Sequence, residues 1–548
     1  MAQMSKLIVT SIISVIFLTL VNSALRANGN GNGNGQRKEI HAYKIDGSGI
    51  KMDGVLDDAI WHKATFTTDF LDKEPIQGAQ PKEMTEVAIA YDDKTLYVGA
   101  RMHSADPKNL RMHLDRHDNQ GPAEQFIVTL YTYCNRRTGY GFGVNTSGVR
   151  FDRYNPDDVE GDRDYSYNPV WEARTAKDST SWTAEIAIPF SQLRFSDEPE
   201  QTWGVNFNRW IPSRNEDVYW IYVPRNETGW ASRFGNLTGI EGIKPSRRLE
   251  VIPYVASDAS FKDGKVANNP FEHGSDITGR AGGDLKMGLG PNLTLDGTIN
   301  PDFGQVEADP AQVNLSAFEI FYDERRPFFI EGSKLLNDPR TGYFYSRRIG
   351  APPHGSGVGD YSKSPQSTTI LGAAKITGQL KGGTSIGILS ALTQREYASN
   401  HDVSSDSTYR TEIEPAAMYN VARIQQQFGA NQSTVGFSLV RVDRDIRAGT
   451  QPEALLRKSA FTGGGDWNLR LKGGEYQIYG LSGFSYVTGS KSAMLLTQKS
   501  PLRYYQRPDA DWLTLDSNRT SLAGIREYIE FNKIAGKHWL WSWSFTTK

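Results

Sequence analysis

From residue 248 onward the chain is a series of period-two runs, joined by connections that alternate between short and long. "NLTLDGTIN" sets Leu293, Leu295, Gly297 and Ile299 against Asn292, Thr294, Asp296 and Thr298. "STVGFSLV" and "YQIYGLSGFSYV" read the same way, and "HWLWSWSF" puts Trp539, Trp541, Trp543 and Phe545 opposite Ser542 and Ser544. Successive side chains of a strand point to opposite faces, so each run has one apolar face and one small or polar face. Gly-rich turns at 289–292, 381–384, 429–433 and 472–475 alternate with long polar loops near 259–277, 301–368, 395–415, 443–458 and 488–521. Short turns at one end, long loops at the other and a wet interior are how outer-membrane barrels are built. A soluble sandwich mixes its loop lengths more evenly. The pattern predicts an antiparallel, outer-membrane-type β-barrel over 248–548. About eleven strands can be counted, whereas single-chain bacterial barrels have an even number. The chain stops at "WSFTTK", in or just past a strand, so the barrel is expected to be incomplete at its C-terminal end. A closed smaller barrel, with its first and last strands paired, is the alternative.

Residues 38–245 have a different grammar. "EVAIAYDDKTLYVGARM" reads as strand, Asp-Asp turn, strand, and "FIVTLYTY", "TGYGFGVNTSGVRFD", "WTAEIAIPFSQLRF" and "TWGVNFNRWIP" continue the series. Such strands with turn signals between them predict a two-sheet β-sandwich, so the fold class is all-β throughout. One short helix is expected over "LDDAIWHKA", with Trp61 in the core and Asp57 and Asp58 starting or capping the helix.

The 12 Trp, 25 Tyr, 24 Phe and 53 Gly suit many short strands with tight turns. A formal net charge of −2 gives no basic footprint, which argues against nucleic acid as a partner. Cys134 is the single cysteine, so neither an intrachain disulfide nor a cysteine-based metal cluster is available. At the N-terminus, Lys6, the apolar run 7–21 and small residues at Ser23 and Ala24 form the pattern of a secretory signal peptide, residues 1–24. The run is shorter than the ~20 residues of a usual membrane span. Residues 25–37, with "NGNGNGNG", are a flexible tether. With no other long apolar stretch, a membrane after export is met by a barrel or at its surface.

"MDGVLDDAIW" (52–61), "DDKTLYVGARMHSADP" (92–107), "WTAEIAIPFSQLRF" (182–195) and "WGVNFNRWIP" (203–212) resemble family 9 carbohydrate-binding modules. The whole chain after the tether resembles an uncharacterised bacterial family of exported proteins. That family joins such a module to an outer-membrane β-barrel catalogued as a domain of unknown function. "INPDFGQVEADPAQVNLSAFEIFYDERRPFFIEG" (299–332) carries the most distinctive part of the match. The resemblance implies a sugar held between aromatic faces, with carboxylates and amides bonding its hydroxyls. Trp210, Trp220 and Trp230, with Asp118 and Glu124 of "DRHDNQGPAEQ", are the carbohydrate-binding candidates. The strand "EQFIVTLYTY" departs from related modules, in which an acidic residue tends to follow an aliphatic strand. The resemblance allows calcium in the sandwich without assigning ligands to it, and no other cofactor is expected. His113 and His117 lie in a loop-like acidic stretch and are assigned no metal.

"NPDFGQVEADP" offers Asp302 and Glu307 as a candidate pair for glycoside hydrolysis, which needs two carboxyl groups roughly 5–10 Å apart. Asp309 before Pro310 reads instead as a helix start, with Val313, Leu315, Phe318 and Phe321 near helical spacing. Residues 301–340 are then a plug-like or loop insertion, with Glu324, Arg325, Arg326 and Glu331 as its ion-paired charges. No nucleophile elbow, zincin motif, phosphate loop or dinucleotide fingerprint is present. The reading favoured is glycan binding or uptake by an exported outer-membrane protein, linked to carbohydrate catabolism. Its expected partners are a carbohydrate or cell-envelope polymer and outer-membrane lipid, and its sandwich is expected on the periplasmic side. The alternatives are a hydrolase of O-glycosyl bonds, and a transport or assembly barrel with a scaffold domain.

Overall fold

The computed structural model describes residues 37–45, 49–133, 137–161, 163–165, 167–244, 249–261, 269–272, 274–290, 292–301, 313–322, 324–330, 332–336, 340–380 and 382–547. The expected signal peptide, nearly all of the tether, Cys134, Asp302, Glu307, Asp309 and Glu331 lie outside these residues.

The N-terminal unit is built from β1 (Glu39–Lys44), β2 (Leu71–Glu74), β3 (Thr85–Tyr91), β4 (Thr95–His103), β5 (Gln125–Tyr131) and β6 (Gly139–Asn145). It continues with β7 (Arg150–Asn155), β8 (Glu172–Lys177), β9 (Ser181–Pro189), β10 (Glu200–Ile211), β11 (Glu216–Tyr219) and β12 (Gly235–Glu241). The strand path runs β7-β6-β5-β10-β12-β1-β3-β4-β9-β8, and β1 is the crossing point. Its first half pairs in parallel with β12 and its second half in parallel with β3. One strand thus stitches two layers together, and Phe126, Phe207 and Val205 of one layer meet Ile89, Val98, Trp182 and Ile186 of the other in a single core. The Asp-Asp turn forms as expected, with Asp92 Oδ1 accepting from the Lys94 and Thr95 N–H groups at 2.7 and 2.8 Å.

Helix α1 (Ala59–Lys63) seats Trp61 in the core, its Nε1 donating to Glu185 Oε1 at 2.9 Å. Asp58 stands at the N-cap without a side-chain capping bond. Its Oδ2 accepts from the Lys51 N–H at 3.2 Å instead.

The second unit holds β13 (Leu249–Phe261), β14 (Ser275–Leu289), β15 (Leu293–Ile299), β16 (Tyr361–Lys363), β17 (Ile370–Gln379), β18 (Thr384–Thr393) and β19 (Glu396–Asp402). It continues with β20 (Ser407–Glu414), β21 (Ala417–Phe428), β22 (Ser433–Arg444), β23 (Arg457–Leu471), β24 (Tyr476–Gly489), β25 (Ser521–Lys533) and β26 (Trp541–Thr547). Eleven of these form one antiparallel meander, β13-β14-β15-β17-β18-β21-β22-β23-β24-β25-β26, curled into a nearly closed, barrel-like sheet. β13 and β26 are its two edges, so the first and last strands are not paired with each other among the described residues. The small sheet β16-β19-β20 rises from the long connections.

Burial along this sheet is inverted relative to a soluble domain. On β15 the polar side Thr294, Asp296 and Thr298 is buried, while Ile299 is exposed. Lys375 on β17, Arg423 on β21 and Asp466 on β23 are buried, whereas Leu371, Ile388, Leu392, Met418, Ile424, Phe437 and Ile525 face outward and are exposed. The strands thus carry polar and charged side chains on the inner face of the sheet and aliphatic ones on the outer face.

Part of 301–340, together with the residues just after it, packs on the inner wall. Phe329, Leu336, Phe344 and Ile349 share a core with Ala373, Leu389, Ala391, Tyr419 and Val421 of β17, β18 and β21. The Tyr343 ring sits so close to Gly464 and Gly483 that a Cβ there would stand 2.6 and 2.4 Å from its hydroxyl. Arg326 pairs with Glu324 through Nε and Nη2 at 2.7 and 2.6 Å and is buried. The expected helix through 313–321 is absent from the described residues 313–322. Val313, Leu315, Phe318 and Phe321 are exposed, so no packing holds them helical. The helical turns come later, as α2 (Pro327–Ile330) and α3 (Ser333–Leu336), where Phe329 and Leu336 have core to pack against.

Candidate functional site

The sandwich docks on the short-turn end of the barrel-like sheet. Thr228 Oγ1 donates to Gly473 O at 3.3 Å within the turn 472–475. The Gly536 N–H donates to Asn226 O at 2.9 Å. Arg137 Nη1 donates to Gln425 Oε1 at 3.3 Å, near the end of β21.

Ion pairs reinforce this seam. Asp158 accepts from Trp230 N, Ser232 N and Ser232 Oγ at 2.7, 2.8 and 2.7 Å, which fixes its carboxylate on the local turn. Arg470 of β23 then reaches it from the other unit, 3.5 Å from Oδ2. Neighbouring Asp157 takes Arg137 Nε at 3.0 Å and lies 3.9 Å from Arg470. Burial pushes the Asp157 carboxyl up, but Arg137, Arg470, the Asp158 N–H and Arg340 outweigh it and hold its pKa below the ordinary value. For Asp158 burial wins over its hydrogen bonds, and its pKa is raised.

Behind the seam lies a cavity of about 510 Å³, lined by both units and by the inner segment. Tyr140, Tyr154 and Tyr167 form its sandwich wall, with ring centroids 5.1 to 6.4 Å apart. Arg137, Asp157, Gln425, Asn468 and Arg423 add polar groups, and Leu335 and Arg340 close the side toward the lumen. This volume falls in the range of small-ligand sites, and its mixture of aromatic faces and convergent polar groups is typical of them.

The five residues singled out from sequence do not converge here. Trp220 is a core ring, 1% exposed, packed on Phe207 and donating through Nε1 to Asp69 Oδ1 at 2.8 Å. Trp230 is also buried, edge-on to Phe234 at 4.9 Å. Neither ring has a face to offer a sugar at the surface. Trp210 is half-buried on β10, on the face opposite the fully buried Arg209. Glu124 is buried in an ion pair with Arg209, 2.7 Å from Nε and 2.6 Å from Nη2, and accepts from Trp182 Nε1 at 2.8 Å. That carboxylate serves the core. Asp118 accepts from the Asp152 N–H at 3.1 Å through Oδ1 and stands beside His117. His117 lies between it and Asp152 of β7, with Nδ1 3.1 Å from Asp118 Oδ2 and Nε2 3.2 Å from Asp152 Oδ1. Asp152 is sealed from solvent, and burial pushes it up to about 6, although Trp171 Nε1 donates to its Oδ1 at 2.7 Å. His113 is engaged separately, with Asp115 at 3.1 Å.

Among solved structures, the chain is similar to a family 9 carbohydrate-binding module from Caldicellulosiruptor kristjanssonii in complex with cellotriose. Identity is 17% over 38% of this chain and 100% of that one, with a TM-score of 0.27. The module from the same organism in complex with glucose is similar at 17% identity over 37% of this chain and 97% of that one, with a TM-score of 0.28. No curated protein matches. Residues 245–545, more than half of the chain, match the profile of a domain of unknown function, DUF5916, and the protein belongs to that family.

Proposed function

We propose that this protein is exported to the bacterial outer membrane, where the barrel-like sheet spans the bilayer and the sandwich closes its periplasmic mouth. The cavity between them takes a carbohydrate, for binding or uptake in carbohydrate catabolism. The location rests on two supports. The outer face of the sheet is aliphatic while its inner face carries Lys375, Arg423 and Asp466. The sandwich meets the short-turn end, which in such barrels faces the periplasm.

The observation that carries the ligand class is the pairing of three tyrosine rings with guanidinium, carboxylate and amide groups around one cavity. A sugar ring lays its C–H face on an aromatic ring, while its hydroxyls need donors and acceptors at the edge. The test is isothermal titration of the detergent-solubilised chain with cello- and xylo-oligosaccharides and with envelope polysaccharide fragments. Binding that weakens at least tenfold in Tyr154→Ala supports the proposal. Flat heats across the panel, or binding indifferent to Tyr154→Ala and Asn468→Ala, would overturn it.

A further inference from the structure

Three ligand-type side chains meet where the loop before β5 touches β7. His117, Asp118 and Asp152 each offer one ligand atom, and these atoms lie within 4.8 Å of one another. A second observation points to a missing partner. Asp152 is fully buried, and its Oδ2 has no hydrogen-bond donor among the described residues, although Oδ1 meets both Trp171 Nε1 and His117 Nε2. A buried carboxylate oxygen without a donor is costly, by about 1–3 kcal/mol or more. A protonated His117 would answer both imidazole contacts and still leave Oδ2 alone. A neutral His117 has one N–H for two carboxylates.

We propose that His117, Asp118 and Asp152 bind a divalent transition-metal cation of the zinc class. One imidazole nitrogen with two carboxylates suits zinc and its neighbours, whereas calcium asks for six to eight oxygens. Zinc–ligand distances of about 2.0–2.2 Å set two ligands of a tetrahedral site roughly 3.3–3.6 Å apart, so the widest pair, within 4.8 Å here, closes onto the ion by up to about 1.5 Å. His117 and Asp118 are partly solvent-exposed, which gives the ion an entry path and leaves a fourth position for water. The bound ion would tie the 113–121 loop to β7.

The test is titration of the chelator-treated full chain with ZnCl2, followed by calorimetry, and with CoCl2, followed by visible absorption. One equivalent of Zn2+ is expected, with a Co2+ spectrum of low coordination number, and CaCl2 should give no heat. His117→Gln, at an accessible position, should weaken Zn2+ binding at least tenfold, as should Asp152→Asn if it folds. No uptake of Zn2+ by the wild-type chain would overturn the proposal, as would uptake unchanged in His117→Gln.

Discussion

Arg423 grips Asp466 with two nitrogens, Nη1 2.7 Å from Oδ1 and Nη2 3.0 Å from Oδ2. The pair lies on the inner wall, while Ile424, the next residue, faces outward beside Phe437 on the paired strand. Both partners are buried, so removing one leaves a charge with poor compensation. Asp466→Ala should cost about 3 kcal/mol. Replacing both, as Arg423→Met with Asp466→Leu, should recover most of it. Urea midpoints of the refolded chain check both expectations.

Arg470 crosses the seam to two carboxylates, Asp157 and Asp158. Arg470→Glu would set a third negative charge against them. The sandwich should then undock while keeping its own core. Limited proteolysis should show faster cleavage in the 244–249 connection, with the 38–244 fragment surviving intact.

Asp72 and Glu216 are both buried and interact as a carboxyl pair, and Asp72 Oδ1 has no donor among the described residues. Burial first, then the charge of Glu216 and its hydrogen bond, raises the Asp72 pKa from 3.8 to about 6. The folded chain therefore holds this proton in a range where the unfolded chain has released it, so stability falls as pH rises. The contribution is complete below about pH 4 and lost as pH passes about 6, a change of about 1–3 kcal/mol. Thermal unfolding between pH 4 and 8 should show this slope, and Asp72→Asn should reduce it, leaving, among others, the share of Asp152, whose carboxyl burial also raises to about 6.

Trp220→Ala removes a fully buried ring and should cost about 3–5 kcal/mol, whereas Trp210→Ala, at a half-buried position, should cost about 1 kcal/mol or less. Thermal denaturation distinguishes the two. Equal losses would mean that Trp210 carries packing its exposure does not reveal.

The strands were legible because alternation is local. Thr294, Asp296 and Thr298 already stand on one side of their run, and Asp92 already sits where a turn needs an acceptor. The split between short and long connections also survives, since Gly290, Gly382, Gly383 and Gly473 mark tight turns by their positive φ. What the sequence hides is nonlocal. Nothing around "VYWIYV" says that Trp220 turns into the core, or around "AEQF" that Glu124 meets Arg209 across the sheet. Sequence puts His117 in a loop-like acidic stretch and Asp118 among the carbohydrate-binding candidates, and it cannot join them to Asp152, the third member of their cluster, because that residue comes from β7. Helical spacing at 313–321 misled for the converse reason, since a period without a surface to bury it against does not make a helix.

A membrane-spanning barrel meets lipid with only the outer side of the β13–β26 sheet. Spin labels on single cysteines at 388, 437 and 438, in a Cys134→Ser background reconstituted into liposomes, read this from collision with oxygen and with a water-soluble nickel chelate. Labels replacing Ile388 and Phe437 should be oxygen-accessible and nickel-protected, and the label replacing Ser438 should not share that lipid signature. Nickel access at 388 and 437 equal to that at 438 would contradict a membrane-spanning barrel.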